Sequence, residues 1–420
     1  MNLAAKNRWP ADEKVGLGDA AKVAPAPSRQ LLLDVSNIAK NDARTGIQRV
    51  VRAVVAALQH VDLQGISVRL IAAVKTTFYR RLPDNWLQEA RPGRELRLLD
   101  HPPVRVRRGD IFFGLDFTSS ILPHHEDRLA AWRSEGVEIR LVLYDLLPLT
   151  HGRWFTMKMR RNFRRWLNLV ERRADGIVAI SESVANEFAA WQRRPRIRAR
   201  RNIPVSTARL GSDISASLPS KGLPGDSESV LSWMRQGRTL LMVGTIEPRK
   251  GYEQAVAAFE WLKREGDKAT QFLVIGRGGW KTEQLQQKMR KLSQANRQFR
   301  WIDSASDEFL EHIYRRASGL LVASEGEGFG LPIVEALSHG KPVLARDLAV
   351  FRELEGPGVS FFEGRTGAQL GNAIVNWLEE NARDGTAVLR RTASWTEAAA
   401  MLSDLLISPS TQTETERPGR

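Results

Sequence analysis

The chain has no cysteine, which excludes disulfides and thiolate metal sites and fits a reducing, cytosolic setting. It has no apolar run near the roughly 20 residues that a bilayer-spanning helix needs. The opening MNLAAKNRWPADEK also lacks the apolar stretch of a secretory leader. Acidic residues are outnumbered, with 48 Asp and Glu against 63 Lys and Arg, a formal charge of +15. That excess points to an anionic partner and leaves nucleic acid, lipid headgroups and phosphorylated metabolites all open. What is present suffices for large cores: 420 residues, 42% of them apolar, are enough for about two domains of ordinary size.

Residues 1–28 are polar with scattered Ala and Pro and are expected to form a disordered tail. Beyond them, short aliphatic runs bounded by turn formers predict buried strands at 31–35, 67–74, 110–116, 137–145 and 176–181. An amphipathic helix is predicted from Gly46 to about His60, and further helices around 122–135 and 154–173. A Ser/Gly/Pro-rich stretch then interrupts the pattern, and 216–237 is expected to be a linker. A second strand series follows at 239–245, 271–277, 299–303, 319–324 and 341–346. Alternating strands and helices predict an α/β protein of two Rossmann-like, doubly wound domains, 29–215 and 238–395, facing a central cleft. Residues 396–420 are expected to return to the first domain as a helix and end in a disordered tail.

The stretch 323–343, ASEGEGFGLPIVEALSHGKPV, carries the strongest chemical signal. Glu327 and Glu335 flank a Gly-Phe-Gly-Leu-Pro turn between a predicted strand and a helix opened by Pro332. Backbone N–H groups and the helix dipole favour an anion there, and the glycines allow close approach. Glu327 is expected at the pocket mouth and Glu335 about one turn into the helix, both as acceptors for sugar hydroxyls. The loop VGTIEPRKG (243–251) places Gly244, Arg249 and Lys250 before another helix. A guanidinium fork and an ammonium at a helix start suit a diphosphate. Gly46-Ile47-Gln48-Arg49 opens the first long helix and would face the cleft from the other side, although Gly46 could equally be only a helix start. On the far wall, Asp145 either holds an acceptor hydroxyl or caps the turn before Pro148. His151 lies in a loop within reach of the cleft.

The positive charge concentrates at 154–173 and 192–201. In WFTMKMRRNFRRWLNLVERR, Phe155, Met159, Phe163, Trp166, Leu167 and Val170 recur at helical spacing among Arg and Lys. A basic amphipathic helix of this kind can lie on an anionic membrane. It can equally be a core helix with a solvated cationic face. Nucleic acid is not an expected partner, because no recognisable binding fold accompanies the charge.

The segment 323–343, with its E-x7-E pair, resembles retaining glycosyltransferases of the GT-B fold, specifically glycosyltransferase family 4 (group 1). VGTIEPRKG resembles that family's phosphate loop. DARTGIQRVVR (42–52), GDIFFGLD (109–116) and YDLLPLTHGRWF (144–155) resemble a bacterial, mannosyltransferase-like subgroup. The likeness covers about residues 30–407. It implies that Glu335 binds the nucleotide ribose and that Glu327 contacts the donor sugar beside the N–H groups of Phe329, Gly330 and Leu331. Arg249 and Lys250 would neutralise the departing diphosphate, with Gly46 packing against it. The resemblance implies no metal and no cofactor, and the chain has no Asp-x-Asp pair. Many relatives carry His-Asp where this chain has Tyr144-Asp145, which leaves the general base open. The implied function is retaining, metal-independent transfer of a hexose, foremost mannose from GDP-mannose, to a lipid-linked or growing bacterial surface polysaccharide. The implied location is the cytoplasm or the inner face of the plasma membrane. Another nucleotide sugar such as UDP-glucose, or a non-catalytic glycan- or membrane-binding scaffold, are the alternatives. A dinucleotide oxidoreductase fits worse, since IGRGGW (275–280) lacks the full glycine spacing.

Overall fold

The computed structural model describes residues 29–42, 46–89, 96–194, 202–214, 222–384 and 391–407. The expected tails at 1–28 and beyond 407, and most of the second basic cluster, lie outside the described residues. Two sheets organise the chain. The first runs β3-β2-β1-β4-β5-β6-β7, from β1 (Gln30–Asp34), β2 (Ser67–Val74), β3 (Thr77–Arg81), β4 (Ile111–Gly114), β5 (Glu138–Leu143), β6 (Gly176–Ala179) and β7 (Val205–Thr207). All pairs are parallel except β2 with β3. The second sheet is wholly parallel, in the order β10-β9-β8-β11-β12-β13. Its strands are β8 (Arg238–Val243), β9 (Thr270–Ile275), β10 (Phe299–Ile302), β11 (Gly319–Val322), β12 (Val343–Arg346) and β13 (Val359–Phe362).

Helices cover both faces of each sheet, so strand residues of either parity are buried. Leu31 and Leu33 join one core while Leu32 joins the opposite one. In the second sheet Leu241 and Leu240 divide in the same way. This two-sided burial explains why the strands read as continuous aliphatic runs rather than alternating ones. The expected doubly wound α/β architecture is therefore present twice.

Two readings need correction. Part of the expected linker is structured: Ser227–Met234 is a helix whose Val230, Leu231, Trp233 and Met234 enter the second domain's core. Four apolar residues in one short helix outweigh the Ser/Gly/Pro content upstream. The apolar stripe of the helix Met157–Arg173 is also not free for a bilayer, because Phe163, Trp166, Leu167, Leu169 and Val170 are buried in the first domain. Its solvent side carries Lys158, Arg161, Arg164, Arg165 and Arg172. Among the described residues no helix is long and apolar enough to cross a membrane.

The chain crosses between domains and comes back. The helix Trp395–Ile407 contributes Trp395, Ala398, Ala399, Leu402 and Leu406 to the same core as the helix Gly46–Leu58. The outgoing and returning segments run side by side. Ser212 N–H donates to Ala393 O at 3.0 Å, the Ser212 and Thr392 hydroxyls lie 2.6 Å apart, and Trp395 N–H donates to Asp213 Oδ1 at 2.8 Å.

Because Phe163 packs in the core, Phe163→Ala is expected to lower stability by about 3–5 kcal/mol. Denaturant unfolding of the full chain checks this. An unchanged unfolding midpoint would return that face to the surface.

Candidate functional site

The two switch points of strand order define the site. In the second sheet β8 and β11 are neighbours while their following loops diverge in the chain, which opens a crevice at their carboxyl ends. After β8 the chain passes Gly244 and a 3₁₀ turn, Pro248–Lys250, and enters the helix Tyr252–Arg264 through Gly251. Gly251 has φ +69°, and a Cβ there would lie 2.0 Å from Ala323 O at the end of β11. Only glycine lets the two loops come this close. Tyr252 OH donates to Gly244 O at 2.7 Å, and Glu325 N–H donates to Arg249 O at 2.6 Å.

Glu327 is the centre of this crevice. The Arg249 guanidinium donates to one of its oxygens and to Gly326 O at 2.9 Å. Lys250 Nζ reaches the other oxygen at 2.5 Å, and Ser324 Oγ donates to it at 2.8 Å. Burial alone would raise the Glu327 carboxyl, but Arg249 and Lys250 outweigh it and hold it at about 2. Glu247 grips Arg249 from behind, 2.7 Å from Nη2, and burial pushes its own carboxyl up. Burial likewise raises Asp145, against the pull of Arg249. Two cations and three carboxylates thus share one pocket.

The helix Leu331–Ser338 begins at Gly330, φ +119°, three residues after Glu327; Pro332 lacks an N–H and the Ile333 N–H donates to Gly330 O at 2.9 Å. Phe329 leaves the loop and packs into the first domain's core. Glu335 is 2% exposed and held on both oxygens. Arg49 Nη1 lies 2.5 Å from Oε1, and Tyr314 OH donates to Oε2 at 2.8 Å. Tyr314 stacks on His339, with ring centroids 5.3 Å apart. Gly46 faces Leu331, whose Cδ1 would be 3.8 Å from a Cβ at Gly46. That is ordinary contact, so its place at the cleft, not a steric demand, marks Gly46.

The first domain closes over this turn. A Cβ on Gly328 would lie 1.9 Å from Tyr144 O, and Ser181 Oγ donates to Gly328 O at 2.7 Å. Asp145, partly buried, accepts from Leu147 N–H at 3.0 Å, so it caps the turn before Pro148 and also lies beside Gly328. His151 is on the exposed rim. Its Nδ1 meets Thr150 Oγ1 at 3.0 Å, and its ring stacks on Trp154 at 4.4 Å. Trp154, buried, packs beside Gly326 together with Leu147.

The structure therefore brings Gly244, Arg249, Lys250, Glu327, Phe329, Gly330, Leu331, Glu335, Gly46 and Asp145 to one cleft and leaves His151 one ring outside it. Sequence reasoning passed over Glu247, Ser324, Tyr314 and Trp154. Only Glu247 carried a local signal, two residues before Arg249.

A depressed carboxyl stabilises the fold above its ordinary value and loses that contribution as pH falls toward its folded value. The Glu327 contribution should therefore disappear between about pH 4.5 and pH 2. Glu327→Gln should flatten this part of the stability curve, read as thermal midpoint against pH. A curve identical to that of the unaltered protein would remove the ionised Glu327 from the account.

Residues 230–399 match the family described as Glycosyl transferases group 1. Along 380 residues the chain is 34% identical to the serotype-specific mannosyltransferase WbdA of Escherichia coli, covering 89% of this chain and 44% of WbdA. It is 32% identical over 145 residues to the O-antigen chain mannosyltransferase B of Escherichia coli, 34% of this chain and 37% of that one. The chain thus spans less than half the length of WbdA. Among solved structures, Anabaena Alr3699/HepE in complex with UDP and glucose superposes with a TM-score of 0.56 at 17% identity, covering 90% and 95% of the two chains. WaaG, a glycosyltransferase involved in lipopolysaccharide biosynthesis, superposes with a TM-score of 0.54 at 14% identity, covering 89% and 95%. With two facing Rossmann-like domains and a second half that matches the group 1 glycosyltransferases, the chain has the GT-B fold and is similar to bacterial mannosyltransferases.

Proposed function

We propose that the chain transfers mannose from GDP-mannose, with retention, to a lipid-linked or growing surface polysaccharide. The observation that carries this reading is the convergence of Arg249 and Lys250 on Glu327 beside the N-terminus of the Leu331–Ser338 helix. Cleavage of the bond between the sugar C1 and the diphosphate leaves charge on the departing oxygens. Preorganised cations and N–H groups in a closed cleft stabilise that charge at the moment it forms. Their presence is why the transfer is proposed as metal-independent. The acceptor oxygen forms its new bond to C1 on the face the diphosphate leaves, and its proton passes to the leaving phosphate. Glu335 accepts from the ribose hydroxyls and Glu327 orients the sugar. Asp145, at the same turn, faces the acceptor side. Similarity to WbdA over most of this chain supports mannose as the sugar.

A UDP-hexose is the second reading, prompted by UDP and glucose in HepE, which shares the fold. Calorimetric titration with GDP, UDP and NAD separates the readings. GDP is expected to bind most tightly, with UDP preference selecting the second reading. Tight NAD binding without either diphosphate would sink both. Glu327→Ala is expected to slow transfer from the preferred donor by on the order of a hundredfold, read with radiolabelled nucleotide sugars.

A lipid-linked acceptor requires access to a membrane. The exposed Lys158, Arg161, Arg164, Arg165 and Arg172 face would be drawn to anionic lipid, at about 1 kcal/mol per basic residue near the surface. The contact is electrostatic, since the helix's apolar stripe is in the core. Arg164→Glu with Arg165→Glu should release the protein from anionic vesicles, and binding should fall with salt. Unchanged sedimentation with vesicles would exclude this face.

A further inference from the structure

Arg49 belongs to the first domain, in the first turn of the Gly46–Leu58 helix, but its guanidinium ends in the second. Nη1 lies 2.5 Å from Glu335 Oε1 and Nη2 3.3 Å from Asp307 Oδ1. The diphosphate chemistry above does not call on it, because Arg249 and Lys250 supply that counter-charge. What it touches is the carboxylate assigned to the ribose.

Glu335 is nearly inaccessible, so its charge needs a partner. Tyr314 holds Oε2 through a neutral hydroxyl, and Arg49 is the only cation that pairs with Glu335 among the described ion pairs. Neutral ribose hydroxyls cannot replace that charge. They can share the carboxylate with it, because each oxygen has more than one lone pair. Expelling Arg49 would also break its second ion pair, to Asp307 at the start of the Asp307–Arg316 helix. A guanidinium anchored on two acids is therefore better suited to stay than to be displaced. The same residue ties the turn containing Gly46, which faces Leu331, to the acid on the opposing helix.

We propose that Arg49 is a positioning residue for the donor nucleotide: from across the cleft it orients Glu335 for the ribose, so nucleotide affinity depends on contact between the domains. The role rests on the reading that Glu335 faces a nucleotide ribose. The opposite role, a plug occupying the ribose seat in the empty protein, predicts the opposite sign on removal.

The test is titration of GDP and UDP into the full chain and its Arg49→Gln, Arg49→Lys, Glu335→Gln and double Arg49→Gln/Glu335→Gln variants. Arg49→Gln should weaken the better nucleotide by roughly tenfold to a hundredfold. Arg49→Lys should weaken it less, since an ammonium keeps the charge but not the fork. The double variant should bind no more weakly than Glu335→Gln alone, because Arg49 acts through that carboxylate. In turnover, the loss should appear in KM for the donor more than in kcat. Unchanged or tighter binding by Arg49→Gln, or additive losses in the double variant, overturns the proposal. Should Arg49→Gln fail to fold, Arg49→Lys carries the test: binding equal to that of the unaltered protein overturns it. If the unaltered protein binds neither nucleotide, the functional reading falls and this role with it. If it binds and Arg49→Gln matches it, only the positioning role falls.

Discussion

A buried carboxylate must find opposite charge within a few ångströms, and Glu327 imposes that condition on everything around it. It draws Arg249 and Lys250 from the loop after β8 to the loop after β11. Those loops can meet because β8 and β11 are adjacent strands whose connections run to opposite sides. Gly251 removes the side chain that would keep them apart, and Glu247 fixes the other edge of the guanidinium. The ion cluster and the glycine turns thus solve one problem together: they hold two oppositely charged loops side by side at the carboxyl ends of adjacent strands.

The first sheet repeats the geometry with different chemistry. Its order also reverses, between β1 and β4, and β1 is followed by the short helix Ser36–Lys40 before the helix opened by Gly46. The domains then meet through apolar contacts, such as Phe329 and Val334 in the first domain's core, and through polar ones. Glu353 caps the start of the Glu182–Gln192 helix, accepting from Glu182 N–H at 2.9 Å and Ser183 N–H at 2.6 Å. Trp280 Nε1 donates to Trp154 O at 2.8 Å. Such contacts have direction, so they specify one docking angle more sharply than apolar area would.

Where the chemistry is local, the sequence reveals it. The E-x7-E turn and the Arg249-Lys250 loop each lie within one strand-to-helix connection, where spacing alone sets geometry. The partner of Glu335 is 286 residues away, and nothing in the spacing around Arg49 distinguishes it from a surface arginine. Tyr144 stands where a histidine was expected, and it is a buried support whose hydroxyl donates to Leu115 O at 2.7 Å. The strands β3, β7 and β13 lie at or beside sheet edges, where partial exposure breaks up the aliphatic run that announces a central strand. For the Met157–Arg173 helix, periodicity was compatible with membrane or core, and only the neighbours in the fold decide between them.

The paired crossing at Ser212, Asp213, Thr392 and Trp395 has a mechanical meaning. A single tether lets one body swing, twist and slide against another. Two segments bound side by side by hydrogen bonds would act as a knuckle that favours a turn about one short axis through it. Displacement then grows with distance from that axis. A small rotation there would be enough to part Gly328 from Tyr144 while leaving each sheet rigid.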